Sequence, residues 1–113
     1  MRREWQRYRY LLMAHDPDAF VEMQTFMATV NSFETFYKKV EQIMSRFKQI
    51  PNDLFAAEEL LLDMSHYIKT SEKKKGMDLL KAREMKAFKR YCHQLAQDYD
   101  LQDFVSNYYF HLG

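Results

Sequence analysis

Apolar residues recur every three to four positions along most of the chain, which is the spacing of one face of an α-helix. The pattern predicts about six helices, approximately at residues 3–14, 17–29, 31–49, 53–69, 76–98 and 101–111. Asp16 and Pro17 form a start signal, with Asp16 as the N-cap and Pro17 at the first helical position. The pattern therefore predicts an all-α protein, a single compact multi-helix bundle of residues 1–113.

Signals at the ends of the third and fourth helices are also readable. Asn31 and Glu34 have the spacing of a capping box, which predicts the start of the third helix. Pro51 ends that helix, and Asn52 or Asp53 caps the next one. The segment that begins at Ser71 is rich in lysine and is predicted to be a connection before a fifth helix at residues 76–98.

The predicted helices have one apolar and one polar face. At 100° per residue, the fifth helix places Met77, Leu80, Phe88, Tyr91, Leu95 and Tyr99 on one stripe, which we expect to be core. Its opposite side carries Arg83, Lys86, Lys89 and Arg90. On the first helix, Arg3, Arg7 and Tyr10 share a face.

The composition excludes several classes of protein. Only 2 Gly and 2 Pro occur in 113 residues, which is too few for the tight turns of a small all-β fold. Gly76 is the only interior glycine, so a glycine-rich phosphate loop is excluded. No apolar run approaches the roughly 20 residues of a membrane span, and we expect a cytoplasmic protein without a membrane segment.

Residues that could carry catalysis or bind metal are scattered. The single cysteine, Cys92, and the four histidines lack the spacing of a metal site, and Cys92 lies at the margin of the core stripe. Glu58 and Glu59 are adjacent, so on a helix their carboxylates diverge. We expect a non-catalytic protein with no metal and no cofactor.

Charge is arranged in blocks along the chain. The net charge of +1 conceals segments of alternating sign, and residues 69–90 hold nine bases and three acids. Two interpretations remain open. Oppositely charged helices pair with one another, or the basic segments gather into one patch.

A basic patch with aromatic residues beside it would suit a nucleic acid, because cations neutralise phosphates and aromatic rings stack on bases. The candidate nucleic-acid-binding residues are Arg3, Arg7, Tyr10, Lys73, Lys74, Lys75, Arg83, Lys86, Lys89 and Arg90. The alternative is a helical protein–protein adaptor with an apolar groove.

The stretch from Arg7 to Pro17, followed by Phe20, resembles the opening motif of the YbgA-like family. The motif residues are Tyr10, Leu11, Leu12, Met13, Ala14, His15 and Pro17. We expect a structural role for them, with Leu11, Leu12 and Phe20 buried and His15 held at the junction of the first two helices.

Weaker similarities follow at residues 67–73 and 103–105. The chain departs from the family at Tyr8, which stands in place of a histidine, and at Glu58, Glu59 and Asp63, which stand roughly where the family has a His-Asn pair and a further histidine.

The resemblance implies a partner as well as a fold. YbgA-like domains have no established function and also occur fused behind iron–sulfur desulfidase domains that act on thiolated uridine in tRNA. The resemblance therefore implies a tRNA-binding accessory module that acts with a separate iron–sulfur desulfidase chain.

Overall fold

The structure is a computed structural model that describes residues 1–47 and 53–112. Within these residues the chain forms eight helices and no strand, which confirms an all-α multi-helix bundle. They are α1 (Arg2–His15), α2 (Pro17–Met27), α3 (Phe33–Met44), α4 (Asp53–Met64), α5 (Thr70–Lys81), α6 (Met85–Asp98), α7 (Gln102–Val105) and α8 (Tyr108–Leu112). The predicted end of the third helix near residue 49 is wrong, because α3 ends at Met44 with Ser45 as its C-cap. Pro51 and Asn52 lie outside the described residues.

The first helix, α1, is the centre of the bundle. It packs against α2, α4, α7 and α8, and its residues 10–14 are all buried. Tyr10 and Met13 belong to an apolar cluster with α4, α6 and the C-terminal helices, whereas Trp5 and Leu12 belong to a second cluster with α2 and α3. The predicted burial of Leu11 and Leu12 is confirmed. Each fully buried leucine stabilises the fold by about 1.5–3 kcal/mol.

Caps explain where two of the helices begin. Asp16 is the N-cap of α2 and accepts a hydrogen bond of 3.2 Å from the backbone N–H of Ala19, as the sequence predicted. The predicted N-cap of α3 is wrong by one residue. Ser32, rather than Asn31, is its N-cap and accepts a hydrogen bond of 3.2 Å from the backbone N–H of Thr35.

The predicted fifth helix is two helices, because the chain turns between α5 and α6. Arg83 has a φ of 59°, and its N–H donates to the carbonyl of Leu80 while the N–H of Glu84 donates to Leu79. This pair of hydrogen bonds is a Schellman motif, which ends a helix and usually has glycine where Arg83 stands. Because α5 begins at Thr70, Lys73–Lys75 lie in a helix instead of a connection.

The C-terminal segment is also divided. Asp100, with a φ of 56°, ends α6 in a second Schellman motif. Asn107 is 1% exposed and separates α7 from α8. Its amide donates to the carbonyl of Gln6 at 2.8 Å and accepts from the N–H of Tyr109 at 3.0 Å. These bonds attach the C-terminal helices to α1.

Gly76 brings α5 close to α4. A Cβ atom at this position would lie 2.9 Å from Cδ1 of Leu61, which is closer than normal packing allows. Met77, the next residue along α5, is 41% exposed and lines an open groove between α4 and α5. The prediction that Met77 belongs to the core stripe is therefore wrong.

Candidate nucleic-acid interface

The basic face predicted for α1 is covered by the C-terminal helices at Arg7 but stays exposed at Arg3. Arg7 donates from Nε to the carbonyl of Ser106 at 3.1 Å, and its guanidinium lies 4.3 Å from the ring centroid of Tyr108. Arg7 also pairs with Glu4 at 3.1 Å, and Arg3 pairs with Asp103 at 3.5 Å. Arg7 therefore attaches α1 to the C-terminal helices, whereas the exposed pair of Arg3 with Asp103 contributes little to stability.

Tyr10 is a core residue. It is 3% exposed, its hydroxyl donates a hydrogen bond to Asp63, and its ring stacks against Phe104. Burial raises the pKa of Tyr10 far above its usual range, and the hydrogen bond to Asp63 raises it further. The prediction that Tyr10 stacks on a base is wrong, because no face of its ring is open.

The basic block of α3 pairs with the acidic block of α2. Glu22 accepts from Nζ of Lys39 at 2.5 Å and from the guanidinium of Arg46 at 3.1 Å. The hydrogen bond from Lys39 is the main reason that the pKa of Glu22 falls below its usual value. For these two helices the structure selects charge pairing over a basic patch.

Lys89 also has a structural role. Its Nζ lies 3.3 Å from Asp53 and 4.5 Å from the ring centroid of Tyr109, and its side chain is 17% exposed. Lys89 therefore attaches α6 to the first turn of α4 and to α8. It is not available to a phosphate.

The remaining bases of residues 69–90 are unpaired. Within the part of the chain that the structure describes, none of the other eight lies within 4.0 Å of a carboxylate. They are Lys69, Lys73, Lys74, Lys75, Lys81, Arg83, Lys86 and Arg90. All are exposed except Lys73, which is half-buried.

These bases lie on one helical hairpin formed by α5 and α6. Lys73–Lys75 lie on α5, Arg83 lies in the turn rather than on the predicted helix face, and Lys86 and Arg90 lie one turn apart on α6. Glu72, one of the three acids of this segment, is engaged by tyrosines: the hydroxyl of Tyr99 donates to its carboxylate at 2.7 Å, and that of Tyr91 to its carbonyl at 3.3 Å. These hydrogen bonds leave the Glu72 carboxylate charged, but they hold it in contact with tyrosines, and it forms no ion pair with the lysines and arginines of the described residues.

Tyr67 is an exposed aromatic residue next to the lysine-rich segment that was not among the predicted candidates. Tyr67 is 59% exposed and lies in the turn after α4, two residues before Lys69. Its ring meets Phe104 edge-on at a centroid distance of 6.3 Å, which fixes its position. The proximity of Tyr67 to the lysine-rich segment was the available signal in the sequence.

The predicted junction of α1 and α2 is held by aromatic contacts. His15 lies one residue before Asp16, the N-cap of α2. Its ring stacks on that of Phe47, with a centroid distance of 4.5 Å and an angle of 5° between the ring planes. This arrangement agrees with the predicted structural role of His15. Phe20 was predicted to be buried but is only partly buried. Its ring stacks on that of Trp5, with a centroid distance of 5.7 Å.

The structure offers few groups for chemistry. Cys92 is fully buried, and burial raises the pKa of its thiol to about 12. Among residues 1–47 and 53–112, no three His, Cys, Asp or Glu side chains are grouped so as to hold a metal ion. No helix in these ranges is both long and apolar enough to cross a membrane.

Comparisons of the chain with protein-family models, with curated proteins and with solved structures found no match in any of the three.

Proposed function

We propose that this protein is a non-catalytic RNA-binding module that holds the phosphate backbone on the hairpin of α5 and α6. The observation that supports this proposal is that the basic segments differ in ion pairing. Ion pairs engage Arg3, Arg7, Lys39 and Arg46, whereas eight bases of residues 69–90 have no carboxylate within 4.0 Å among the described residues.

Electrostatic screening limits which of these bases act together. The Debye length at physiological salt is about 8 Å, which is less than the roughly 10–12 Å width of a helix. Bases one turn apart on the same helix, such as Lys86 and Arg90, therefore reinforce one another, whereas bases on opposite sides of the hairpin bind phosphates separately. Each phosphate that they neutralise releases condensed counterions, which is the main source of sequence-independent affinity for nucleic acid.

Tyr67 favours RNA with unpaired bases over a continuous duplex. An exposed aromatic ring beside cations is a stacking platform, and stacking contributes about 1–3 kcal/mol per base. Bases in a duplex are not accessible to such a ring, whereas bases in a loop or at an end are. We therefore expect a structured RNA with single-stranded loops to bind better than a duplex.

The choice of tRNA, and of an iron–sulfur thiouridine desulfidase as the partner chain, depends on the resemblance of residues 7–17 to the YbgA-like family. The buried positions of Leu11 and Leu12 are consistent with a motif that maintains the fold. Asp63, at a position where the chain departs from the family, accepts the hydrogen bond of Tyr10. The contribution of this motif to tRNA binding is therefore indirect.

The second candidate function, a protein–protein adaptor, is favoured by an open apolar groove between α4 and α5. The dependence of binding on salt concentration distinguishes RNA binding from the adaptor function. Binding to phosphates weakens steeply as salt rises, whereas an apolar interface changes little.

Fluorescence anisotropy with a labelled tRNA transcript tests the proposal. Lys86→Glu combined with Arg90→Glu should weaken binding roughly tenfold or more at about 50 mM salt. Both residues are exposed, so each change should alter the free energy of unfolding by no more than about 0.5 kcal/mol.

The matched control reverses Lys38 and Arg46, two exposed bases of the α3 region that are paired with Glu34 and Glu22. This variant undergoes the same change in net charge and should keep most of the affinity. Equal losses in the two variants would show that only the total charge matters, and unchanged binding in the Lys86 and Arg90 variant would contradict the proposal.

A further inference from the structure

An open groove runs between α4 and α5, beside the contact of Gly76 with Leu61. Its volume is about 410 Å³, and its apolar lining comes from Leu61, Leu62, Met77 and Leu80. Leu62 is 51% exposed and Met77 is 41% exposed, so the lining is open to solvent. Phe55, seven residues before Leu62 on the same face of α4, is 43% exposed and extends the apolar stripe.

The two walls of the groove carry opposite charges. Glu58 and Glu59 line the α4 wall, whereas Lys73 and Lys81 line the α5 wall. In the described parts of the chain, none of these four side chains forms an ion pair within 4.0 Å. The groove is thus an apolar strip between an unpaired acidic wall and an unpaired basic wall.

We propose that the groove is occupied by a second copy of this chain, in a dimer with a two-fold axis parallel to the groove. This axis places α4 of one copy over α5 of the other. The acidic wall of each copy then meets the basic wall of its partner, and the two apolar strips meet in the middle. In this dimer Lys73 and Lys81 pair with the partner's acidic wall, and the other six unpaired bases of residues 69–90 are left for RNA. Every contact occurs twice, as in any isologous interface.

The charge pattern is what selects a second copy as the occupant. The face is complementary to itself only in this orientation, because an axis across the groove would place acids over acids. Each of the two helices has 12 residues and is about 18 Å long. Two such helices form a face smaller than the roughly 800 Å² per partner of a standard interface, so we expect a transient dimer that dissociates on dilution rather than an obligate one.

Sedimentation velocity over about 1–100 μM protein tests this proposal. The wild-type protein should move from the 13.8 kDa monomer toward twice that mass as its concentration rises. The variant Glu58→Lys/Glu59→Lys should stay monomeric throughout, and so should Lys73→Glu/Lys81→Glu. In each of these variants both walls carry the same sign, so the copies repel each other.

The decisive step is to mix the two variants in equal amounts. One copy then has two basic walls and the other two acidic walls, so a mixed dimer should form with at least the wild-type affinity. Leu62→Glu, a change at an exposed position, should abolish dimers of the otherwise wild-type protein. Far-UV circular dichroism confirms that each variant is folded.

The matched control is Lys86→Glu/Arg90→Glu, which lies outside the groove and should dimerise like the wild type. This variant also separates the dimer from RNA binding, because it should lose RNA and keep the dimer. A wild-type protein that is monomeric at 100 μM would overturn the proposal, as would a mixture of charge variants that stays monomeric. A monomer that binds an unrelated amphipathic peptide in the groove would assign the groove to a different partner.

Discussion

The hydroxyl of Tyr10 donates a hydrogen bond to Asp63 and thereby joins α1 to α4. Around this bond, the ring of Tyr10 packs against Phe104 and the side chain is nearly inaccessible to water. A buried acceptor that loses its donor costs about 1–3 kcal/mol, so this pair contributes to the stability of the central helix contact.

Replacing Tyr10 with Phe should therefore reduce the free energy of unfolding by about 1–2 kcal/mol, because the carboxylate of Asp63 loses its donor while the ring remains. Urea denaturation followed by circular dichroism measures the change. Tyr67→Phe is the matched control, since its exposed hydroxyl has no hydrogen bond within the described residues, and it should stay within about 0.5 kcal/mol of wild type. Equal effects at both positions would contradict the role of Tyr10.

Cys92 provides a second test at the residue scale. Because burial raises the pKa of its thiol to about 12, the group remains protonated and inaccessible at pH 8. Ellman's reagent should therefore react with the wild-type protein only as fast as it unfolds, and urea should accelerate the reaction. As a positive control, Ser71→Cys introduces a thiol at an exposed position of α5, and that thiol should react immediately. Rapid labelling of Cys92 in the folded protein would contradict its burial.

At the scale of elements, two helices end in Schellman motifs that lack glycine. Arg83 and Asp100 both adopt left-handed backbone conformations, with φ of 59° and 56°. Asp tolerates this conformation better than most residues, but arginine with its Cβ is strained by about 1–2 kcal/mol. The turn forms because Leu80 and Phe88 are both buried, so the two helices must fold back to reach the same core.

Arg83→Gly should stabilise the protein by about 0.5–1 kcal/mol, since glycine removes the left-handed strain but adds flexibility to the unfolded chain. Thermal unfolding measures the gain. Arg83→Ala is the control, because it removes the same charge but keeps the strain, and it should not stabilise the protein. If alanine stabilised as much as glycine, strain at this position could not be the cause.

These helix ends also show what the sequence can and cannot predict. The start of α2 was predicted because Asp16 and Pro17 carry the local chemistry of a helix start. The turn at Arg83 was not, because the apolar periodicity continues across it and no glycine or proline marks it. A helix end that depends on tertiary packing is not marked by a local signal in the amino-acid sequence.

At the scale of the whole molecule, the charge pattern was visible in the sequence but its pairing was not. Arg7 contacts the carbonyl of Ser106 from 99 positions away, and Lys89 reaches Asp53 across 36. Such partners depend on how the helices pack, which alternating charge blocks alone do not specify. The proposed RNA-binding site therefore leaves out Arg3, Arg7, Tyr10 and Lys89 of the predicted residues and includes Tyr67.

On the scale of the whole molecule, we propose that unpaired cations on the hairpin of α5 and α6 bind RNA phosphates. The most direct test is the dependence of tRNA affinity on salt concentration, measured by anisotropy for the wild type and for Lys86→Glu/Arg90→Glu. We expect the logarithm of the affinity to fall linearly with the logarithm of the salt concentration for the wild type. The slope should be shallower by about one to two in the variant, because two phosphate contacts are lost. An affinity that does not change with salt, or identical slopes for both proteins, would contradict it.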